Sequence, residues 1–300
     1  MSTPSLRAML EKGPVFAPCI YDCITALEME RMGFEAVCLS GGELSMSYLG
    51  LPDLGFLSFG ELLDRVFHIA SATSLPMIVD IDTGFGEECN VIHTCQKMAL
   101  VGAKAVHLED QTFPKRSGQF SGKDVIPFED YLRKVRAAVD ALKGTDCLLI
   151  ARTDAYNVLG KEEAIRRCNA AADAGADLTL ADGALTKEDL KDIASRVKGK
   201  KMYGMTISGA SPKCTFEELT DWGYSLVTCH FAQDAALAGY ELLGPTILKV
   251  KNDLPFTDCP GMERDFFSAR YLTGLEKWTG LGQKYNQDFK GTGWILAKER

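Results

Sequence analysis

Two aspartates, Asp80 and Asp82, follow a short apolar run and are well suited to bind a metal ion. The run, residues 77–79, is typical of a buried strand, and side chains two residues apart on a strand point to the same face. Two carboxylates so placed repel each other and lose hydration unless a cation compensates them. Mg²⁺ suits this pattern because it binds one or two carboxylates and keeps several waters. The alternative is that both aspartates cap the next helix.

Other polar residues follow further apolar runs. Ser40, Gly41 and Gly42 form a turn whose successive N–H groups could bind a carboxylate, although a plain turn is the alternative. Arg152 could bind a substrate carboxylate and an adjacent oxygen together, or form a salt bridge to Asp154 or Glu109. His230 could titrate near neutrality or be a hydrogen-bonded core residue. The other three histidines, including His107, lie within helix or strand patterns and are predicted to be structural.

Eight strand-like runs alternate with helical patterns along the chain. The runs begin at residues 15, 36, 77, 105, 147, 178, 201 and 225, and helical patterns lie at 24–32, 59–72, 91–100, 128–142, 161–174 and 187–197. This alternation predicts an α/β fold, a (β/α)8 TIM barrel, whose active-site groups follow the strands. A doubly wound sheet is the alternative. Residues 1–245 are predicted to form the barrel, and 246–300 a helical or irregular C-terminal extension at a subunit interface.

The composition narrows the possible partners. A formal net charge of −8 argues against binding to nucleic acid or to an anionic membrane. No apolar run approaches the roughly 20 residues of a membrane span, and no signal peptide is recognisable at the N-terminus. Ten cysteines without a CxxC pair favour a reduced, cytoplasmic protein.

Several ordered motifs between residues 6 and 243 resemble the isocitrate lyase and phosphoenolpyruvate mutase superfamily, most of all its 2-methylisocitrate lyase branch. They lie at residues 39–42, 49–55, 80–86, 108–111, 114–118, 151–154 and 206–212. The resemblance implies Mg²⁺, or alternatively Mn²⁺, held by Asp80 and Asp82 with Asp53 and Glu109 nearby through water. It also implies a small carboxylic acid substrate and a homotetramer or homodimer, with a C-terminal helix exchanged between subunits.

The residues and the resemblance together predict the rest of the site. The predicted catalytic residues are Arg152, Ser117, His230 and Tyr21. The predicted substrate contacts are Ser40, Gly41, Gly42, Lys115, Arg116, Gly118, Asp182 and Thr206. Residues 111–123 are expected to close over the site as a lid, as many barrel loops do.

The chain departs from the lyase pattern at the proton donor. Lyases of the superfamily carry a loop cysteine that acts as the general acid, and here Ser117 stands in its place, followed by Gln119 where the family has histidine. A hydroxyl is far less acidic than a thiol, whose reference pKa is about 8.5. Gly204 and Ile207 replace polar family residues, so the far end of the substrate is expected to be more apolar.

These observations predict a Mg²⁺-dependent carbon–carbon lyase that acts on a 2-hydroxy or 2-oxo carboxylic acid through a metal-stabilised enolate. A decarboxylase or hydrolase of an oxaloacetate-type acid is the first alternative, because it needs no strong protein acid. A phosphonomutase-like enzyme and a non-catalytic homologue acting in binding or assembly are the others.

Overall fold

A computed structural model of the chain describes residues 3–207, 209–252 and 273–286. Eight parallel strands close into a barrel in chain order, and β1 completes the ring by pairing with β8. The strands are β1 (Val15–Ile20), β2 (Val37–Leu39), β3 (Met77–Asp80), β4 (Ala105–Leu108), β5 (Leu148–Thr153), β6 (Leu178–Ala181), β7 (Lys200–Thr206) and β8 (Leu226–His230). The predicted TIM barrel is confirmed, and the doubly wound sheet is wrong because the sheet has no open edge.

Helices follow the strands around the barrel. They are α1 (Leu6–Lys12), α2 (Cys23–Arg31), α3 (Gly41–Leu44), α4 (Phe59–Ala72), α5 (Glu88–Leu100), α6 (Phe128–Leu142), α7 (Ala155–Leu159), α8 (Lys161–Asp173), α9 (Lys187–Arg196), α10 (Phe216–Asp221), α11 (Ala232–Asn252) and α12 (Leu275–Tyr285). A π-helical turn, Ser45–Leu49, continues α3. The predicted helices at 59–72 and 128–142 have the observed bounds, and the other four differ by one to three residues at an end.

The period of two along each strand decides which side chains reach the site. Ala105 of β4 and Leu148 and Ile150 of β5 belong to the apolar cluster that fills the barrel. Their neighbours Val106 and Leu149 belong to the layer between barrel and helices. Since side chains alternate between the two faces, continuing the pattern brings His107 and Arg152 to the barrel's carboxyl end.

The structure rejects helix capping as the role of the two aspartates. Asp80 is the last residue of β3, and Asp82 follows in a left-handed conformation with φ 47°. Helix α5 begins only at Glu88, and Glu87 is its N-cap residue. Both carboxylates are therefore available for another purpose.

The contacts divide the chain into two compact units, Met1–Ala236 and Leu237–Arg300. The predicted domain boundary at 245 falls inside α11 and stays a prediction. Most of the predicted extension, residues 253–272 and 287–300, lies outside the described residues. Among the described helices, none combines the length and the apolar character needed to cross a bilayer.

Candidate active site

Four buried or largely buried carboxylates gather at the carboxyl end of the barrel. Asp80 and Asp82 are each 6% exposed and Glu109, directly after β4, is 1% exposed. Asp53 follows the π-helical turn, and its side chain is 14% exposed. The structure thus brings together all four residues that were predicted to hold a metal ion.

Lys115 is the cation closest to this carboxylate cluster. Its ammonium nitrogen lies 2.6 Å from Asp53 Oδ1 and 2.7 Å from Asp82 Oδ1, and the residue is 3% exposed. Lys115, which was predicted to contact substrate, therefore bridges two predicted metal ligands here.

The charges of the cluster are not balanced by the side chains around it. Both Glu109 oxygens are buried without a hydrogen-bond partner, although Arg152 Nη1 lies 3.3 Å from Oε2. Burial raises the pKa of Asp82 to about 6 and that of Glu109 well above its ordinary value. Hard oxygen ligands with uncompensated charge are what a divalent cation such as Mg²⁺ or Mn²⁺ binds. The residues present therefore fit the predicted metal.

The Ser40–Gly42 turn lies directly against these acids. A Cβ atom on Gly41 would lie 3.1 Å from Asp82 Oδ1, and one on Gly42 would lie 3.1 Å from Asp53 Oδ2. Ser40 caps α3 by accepting a hydrogen bond from the backbone of Glu43. The two glycines are needed because any side chain would press on the carboxylates.

Arg152, the inward-facing residue near the end of β5, is held by carboxylates on several sides. Nε and Nη2 donate to the two oxygens of Asp154 at 2.9 and 3.1 Å, and Nη2 also donates to Asp182 at 3.1 Å. The salt bridges considered from the sequence are present. They fix the plane of the guanidinium group, so the orientation of Arg152 is set before any substrate binds.

A second layer of buried polar residues supports Asp154. Asp110 accepts hydrogen bonds from the Asp154 backbone at 2.8 Å and from the Thr153 hydroxyl. Arg167 of α8, which is 2% exposed, donates to Asp110 at 2.9 Å. This network ties β4, β5 and α8 together beneath Arg152.

Loop 111–123 is docked over the barrel mouth. The Gln119 side chain donates to Ser211 at 3.2 Å and accepts from the Ala210 backbone at 2.8 Å. Lys123 donates to the Gly118 carbonyl at 2.9 Å and to Asp154 at 2.8 Å. Gln119, which replaces the family histidine, thus connects the loop to the segment after β7.

A cavity of about 290 Å³ lies beneath this loop. Ten predicted site residues line it, namely Ser40, Gly42, Asp53, Asp80, Ser117, Gly118, Arg152, Asp182, Thr206 and His230. Gly41, Asp82, Glu109 and Lys115 do not line it, although Gly41 and Lys115 contact residues of the cluster. Tyr21 and Arg116 also lie outside the cavity lining, and Arg116 is exposed.

His230, the last residue of β8, is a neutral group in this site. Burial lowers its pKa to about 4. A pKa this low does not support the first interpretation made from the sequence, that His230 titrates near neutrality. A neutral imidazole can still accept or donate a hydrogen bond.

His107 and Glu43 are ionisable residues near the site that were not among the predicted site residues. His107 was predicted to be structural, but its Nδ1 lies 3.4 Å from Asp80 Oδ1. The strand period of β4 could have found it, because His107 and Glu109 share a face. Glu43 lines the cavity although it is buried within α3. A glutamate directly after Ser-Gly-Gly was the only available signal for it.

The chain is similar in sequence to known enzymes over most of its length. The family model for phosphoenolpyruvate phosphomutase matches residues 6–243. A 2-methylisocitrate lyase from Aeropyrum pernix is 40% identical over 223 residues, covering 74% of this chain and 71% of that protein.

Solved structures match over nearly the whole chain. A 2,3-dimethylmalate lyase superposes with a TM-score of 0.89 and 30% identity, covering 97% of this chain and 98% of the other. Oxaloacetate acetylhydrolase bound to 3,3-difluorooxalacetate gives 0.85 and 30%, covering 94% and 96%. Phosphonopyruvate hydrolase, in complex with oxalate and Mg²⁺, gives 0.83 and 29%, covering 95% and 99%.

Proposed function

Since this chain belongs to the phosphoenolpyruvate phosphomutase family and is an enzyme, we propose that it is a Mg²⁺-dependent carbon–carbon lyase acting on a 2-hydroxy or 2-oxo carboxylic acid. The observation that carries the proposal is the cluster of Asp53, Asp80, Asp82 and Glu109 beside Arg152, of which Asp53, Asp80 and Arg152 line the cavity. The lyases among its relatives act on small acids, as their names state.

The metal would be held by Asp80 and Asp82, with Asp53 and Glu109 next to them. Bound there, Mg²⁺ would supply positive charge against the oxygen charge that grows on the substrate during bond cleavage. Mn²⁺, which also prefers oxygen ligands, is the natural substitute.

The chain's own residues orient the substrate. Arg152, fixed by Asp154 and Asp182, presents a guanidinium to a carboxylate in the cavity. Gly41 and Gly42, at the start of α3, offer backbone N–H groups for a second anionic oxygen, whereas the Ser40 N–H already donates to the Ile20 carbonyl. Loop 111–123 covers the reacting groups and limits access of water, which strengthens the electrostatic interactions within the site.

The test is a screen of 2-hydroxy and 2-oxo acids with and without Mg²⁺, read by mass spectrometry. It includes 2-methylisocitrate, 2,3-dimethylmalate and oxaloacetate. We expect one acid to be consumed only with metal, and Asp82→Ala to abolish its consumption. Asp173→Asn, which changes an exposed acid of α8, is the control and should keep activity. Metal-independent turnover, or full activity in Asp82→Ala, would contradict the proposal.

A hydrolase or decarboxylase of oxaloacetate is the second candidate. It is favoured by Ser117, which puts a hydroxyl rather than a thiol in the cavity lining, and by the match to oxaloacetate acetylhydrolase. NMR of the products separates the possibilities, because hydrolysis yields acetate and oxalate whereas decarboxylation yields pyruvate. If no acid is consumed under any metal condition, the non-catalytic homologue becomes the better hypothesis.

We also propose a homotetramer or homodimer in a reducing, cytoplasmic compartment. Helix α11 exposes large apolar side chains, with Leu237 61%, Tyr240 80% and Leu242 71% exposed. Trp278 of α12 is 65% exposed. Exposed apolar surface of this kind is typical of association sites.

The proposal of a reducing compartment is supported by the cysteines. The nine cysteines within the described residues are all free thiols.

A further inference from the structure

Glu43 is a buried carboxyl group that the metal and arginine sites do not use. It is 3% exposed, and its Oε1 accepts a hydrogen bond from the Ala232 backbone at 3.2 Å. Its Oε2 is buried without a hydrogen-bond partner. An ionised oxygen left in that state has lost its hydration and has no hydrogen bond to replace it, which is unfavourable. A protonated carboxyl avoids this cost and has a proton to donate.

The groups around Glu43 are neutral or acidic rather than cationic. Its oxygen, Cys19 Sγ and a His230 ring nitrogen lie within 4.8 Å of one another. Cys38, Cys229 and Asp234 are its other titratable neighbours, from β2, β8 and α11. Burial, followed by the effects of Cys38 and Asp234, raises the pKa of Glu43 to about 8. At neutral pH the carboxyl therefore keeps its proton.

Glu43 also lies where a proton is needed. It lines the same cavity as Arg152, Asp80 and Ser40. It directly follows Gly41 and Gly42 in the chain. These glycines lie so close to the predicted metal ligands that an added Cβ atom would be 3.1 Å from a carboxylate oxygen.

The other groups of the cavity are poorer donors. Arg152 stays charged and is held by carboxylates. The Ser117 hydroxyl has a far higher pKa than a carboxyl group. His230 is a neutral imidazole near pH 7, because its pKa is lowered to about 4, so it has no imidazolium proton to donate.

We propose that Glu43 is the proton donor to the carbon that is released by bond cleavage. The inference rests on the proposed lyase function. When the carbon–carbon bond breaks, its electron pair remains on the departing fragment as an enolate, and the proton of the substrate hydroxyl passes to water. The Glu43 O–H bond then breaks as the new C–H bond forms. The resulting carboxylate regains a proton from water, so protons and electrons balance over the cycle.

The first test compares wild type with Glu43→Gln and Glu43→Asp on the acid that the wild type consumes. We expect Glu43→Gln to lower kcat by about 100-fold or more, the usual effect of losing a general acid. KM and the affinity for oxalate with Mg²⁺, measured by calorimetry, should change only a few-fold. Glu43→Asp should recover part of kcat. In the wild type kcat should fall as pH rises through about 8, and this fall should disappear in Glu43→Gln.

The result that overturns the inference is a Glu43→Gln enzyme with wild-type kcat and an unchanged alkaline limb, while Asp82→Ala is inactive. If wild type and Asp82→Ala both leave every acid untouched, the proposed function fails instead.

A second measurement needs no substrate. Infrared difference spectra between pH 7 and pH 9 should show the C=O band of a protonated carboxyl, absent in Glu43→Gln. Lack of that band in the wild type would overturn the inference. So would one zinc ion per chain in the purified protein that is lost in Glu43→Gln, because Cys19, Glu43 and His230 would then be a metal site.

Discussion

Asp82 and Glu43 are both buried carboxyl groups with raised pKa values, but their surroundings differ. Asp82 lies 2.7 Å from the Lys115 ammonium, and its pKa is about 6. Glu43 lies beside Cys19 and the neutral His230 imidazole, and burial together with the like charges of Cys38 and Asp234 raises its pKa to about 8. The position of one cation therefore separates a group suited to bind metal from a group suited to hold a proton.

Glu43 should make the stability of the protein depend on pH. Its pKa is raised from 4.5 in the unfolded chain to about 8 in the folded protein, so the folded state binds the proton more tightly. This contribution is fully present below pH 4.5 and is lost as pH rises through 8. We expect Glu43→Gln to gain stability relative to wild type between pH 5 and 8, by a few kcal/mol on the order-of-magnitude scale of such shifts.

Urea unfolding at several pH values measures this difference. Glu35→Gln, at an exposed position of the same sequence region, is the control and should follow the wild type. A stability difference between Glu43→Gln and wild type that does not vary with pH would show that Glu43 is already ionised.

At the scale of elements, loop 111–123 approaches the site so closely that one position must be glycine. A Cβ atom on Gly118 would overlap Asp182 Oδ2 and lie 3.0 Å from Arg152 Nη2. Arg152 donates to Asp154 and to Asp182, which holds both side chains in place, so we expect the loop to move instead.

Gly118→Ala should therefore lower kcat by about 10-fold or more, since small displacements of positioning elements cost that much. Hydrogen exchange should become faster in residues 111–123 without a change in overall stability. Gly60→Ala is the matched control, because a Cβ there meets nothing within 4 Å and alanine favours helix α4. If hydrogen exchange of residues 111–123 is unchanged in Gly118→Ala, the Asp182 and Arg152 side chains move to accommodate the methyl group and the loop stays in place.

The buried pair between α8 and the strands should be important for stability. Arg167 is 2% exposed and donates to both Asp110 and Glu163, whereas its neighbour Arg166 is half exposed and pairs with Glu163 alone. Arg167→Met should cost about 3–5 kcal/mol, because it leaves a buried charge uncompensated. Arg166→Met should cost less than about 1 kcal/mol. Urea unfolding of the two variants distinguishes them, and equal costs would contradict a structural role for the buried pair.

At the scale of the whole molecule, the exposed apolar residues of α11 should hold subunits together. Leu242→Glu places a charge on a side chain that is 71% exposed in the single chain. If that face is covered in an oligomer, the variant should dissociate, because burying an unpaired charge is costly.

Light scattering of full-length protein measures this outcome. Leu100→Glu, on the 77% exposed Leu100 of α5, is the control and should keep the wild-type mass. A wild-type mass of one chain would contradict the proposed homotetramer or homodimer.

The sequence determined the barrel, the eight strands and the acids that follow them. Apolar runs and helical periods are local patterns that can be recognised in a short stretch of sequence. For this reason β4 and the helices at 59–72 and 128–142 were predicted with their observed bounds. The position of Asp80 at a strand end was equally local.

Only the tertiary structure decided which of these polar groups meet. Lys115 lies 62 positions after Asp53 in the chain, yet their side chains are 2.6 Å apart. The neutrality of His230 and the raised pKa of Glu43 depend on burial and on neighbours from other strands and helices. Charge and proton affinity are set by distance and desolvation, and those arise only when the barrel closes.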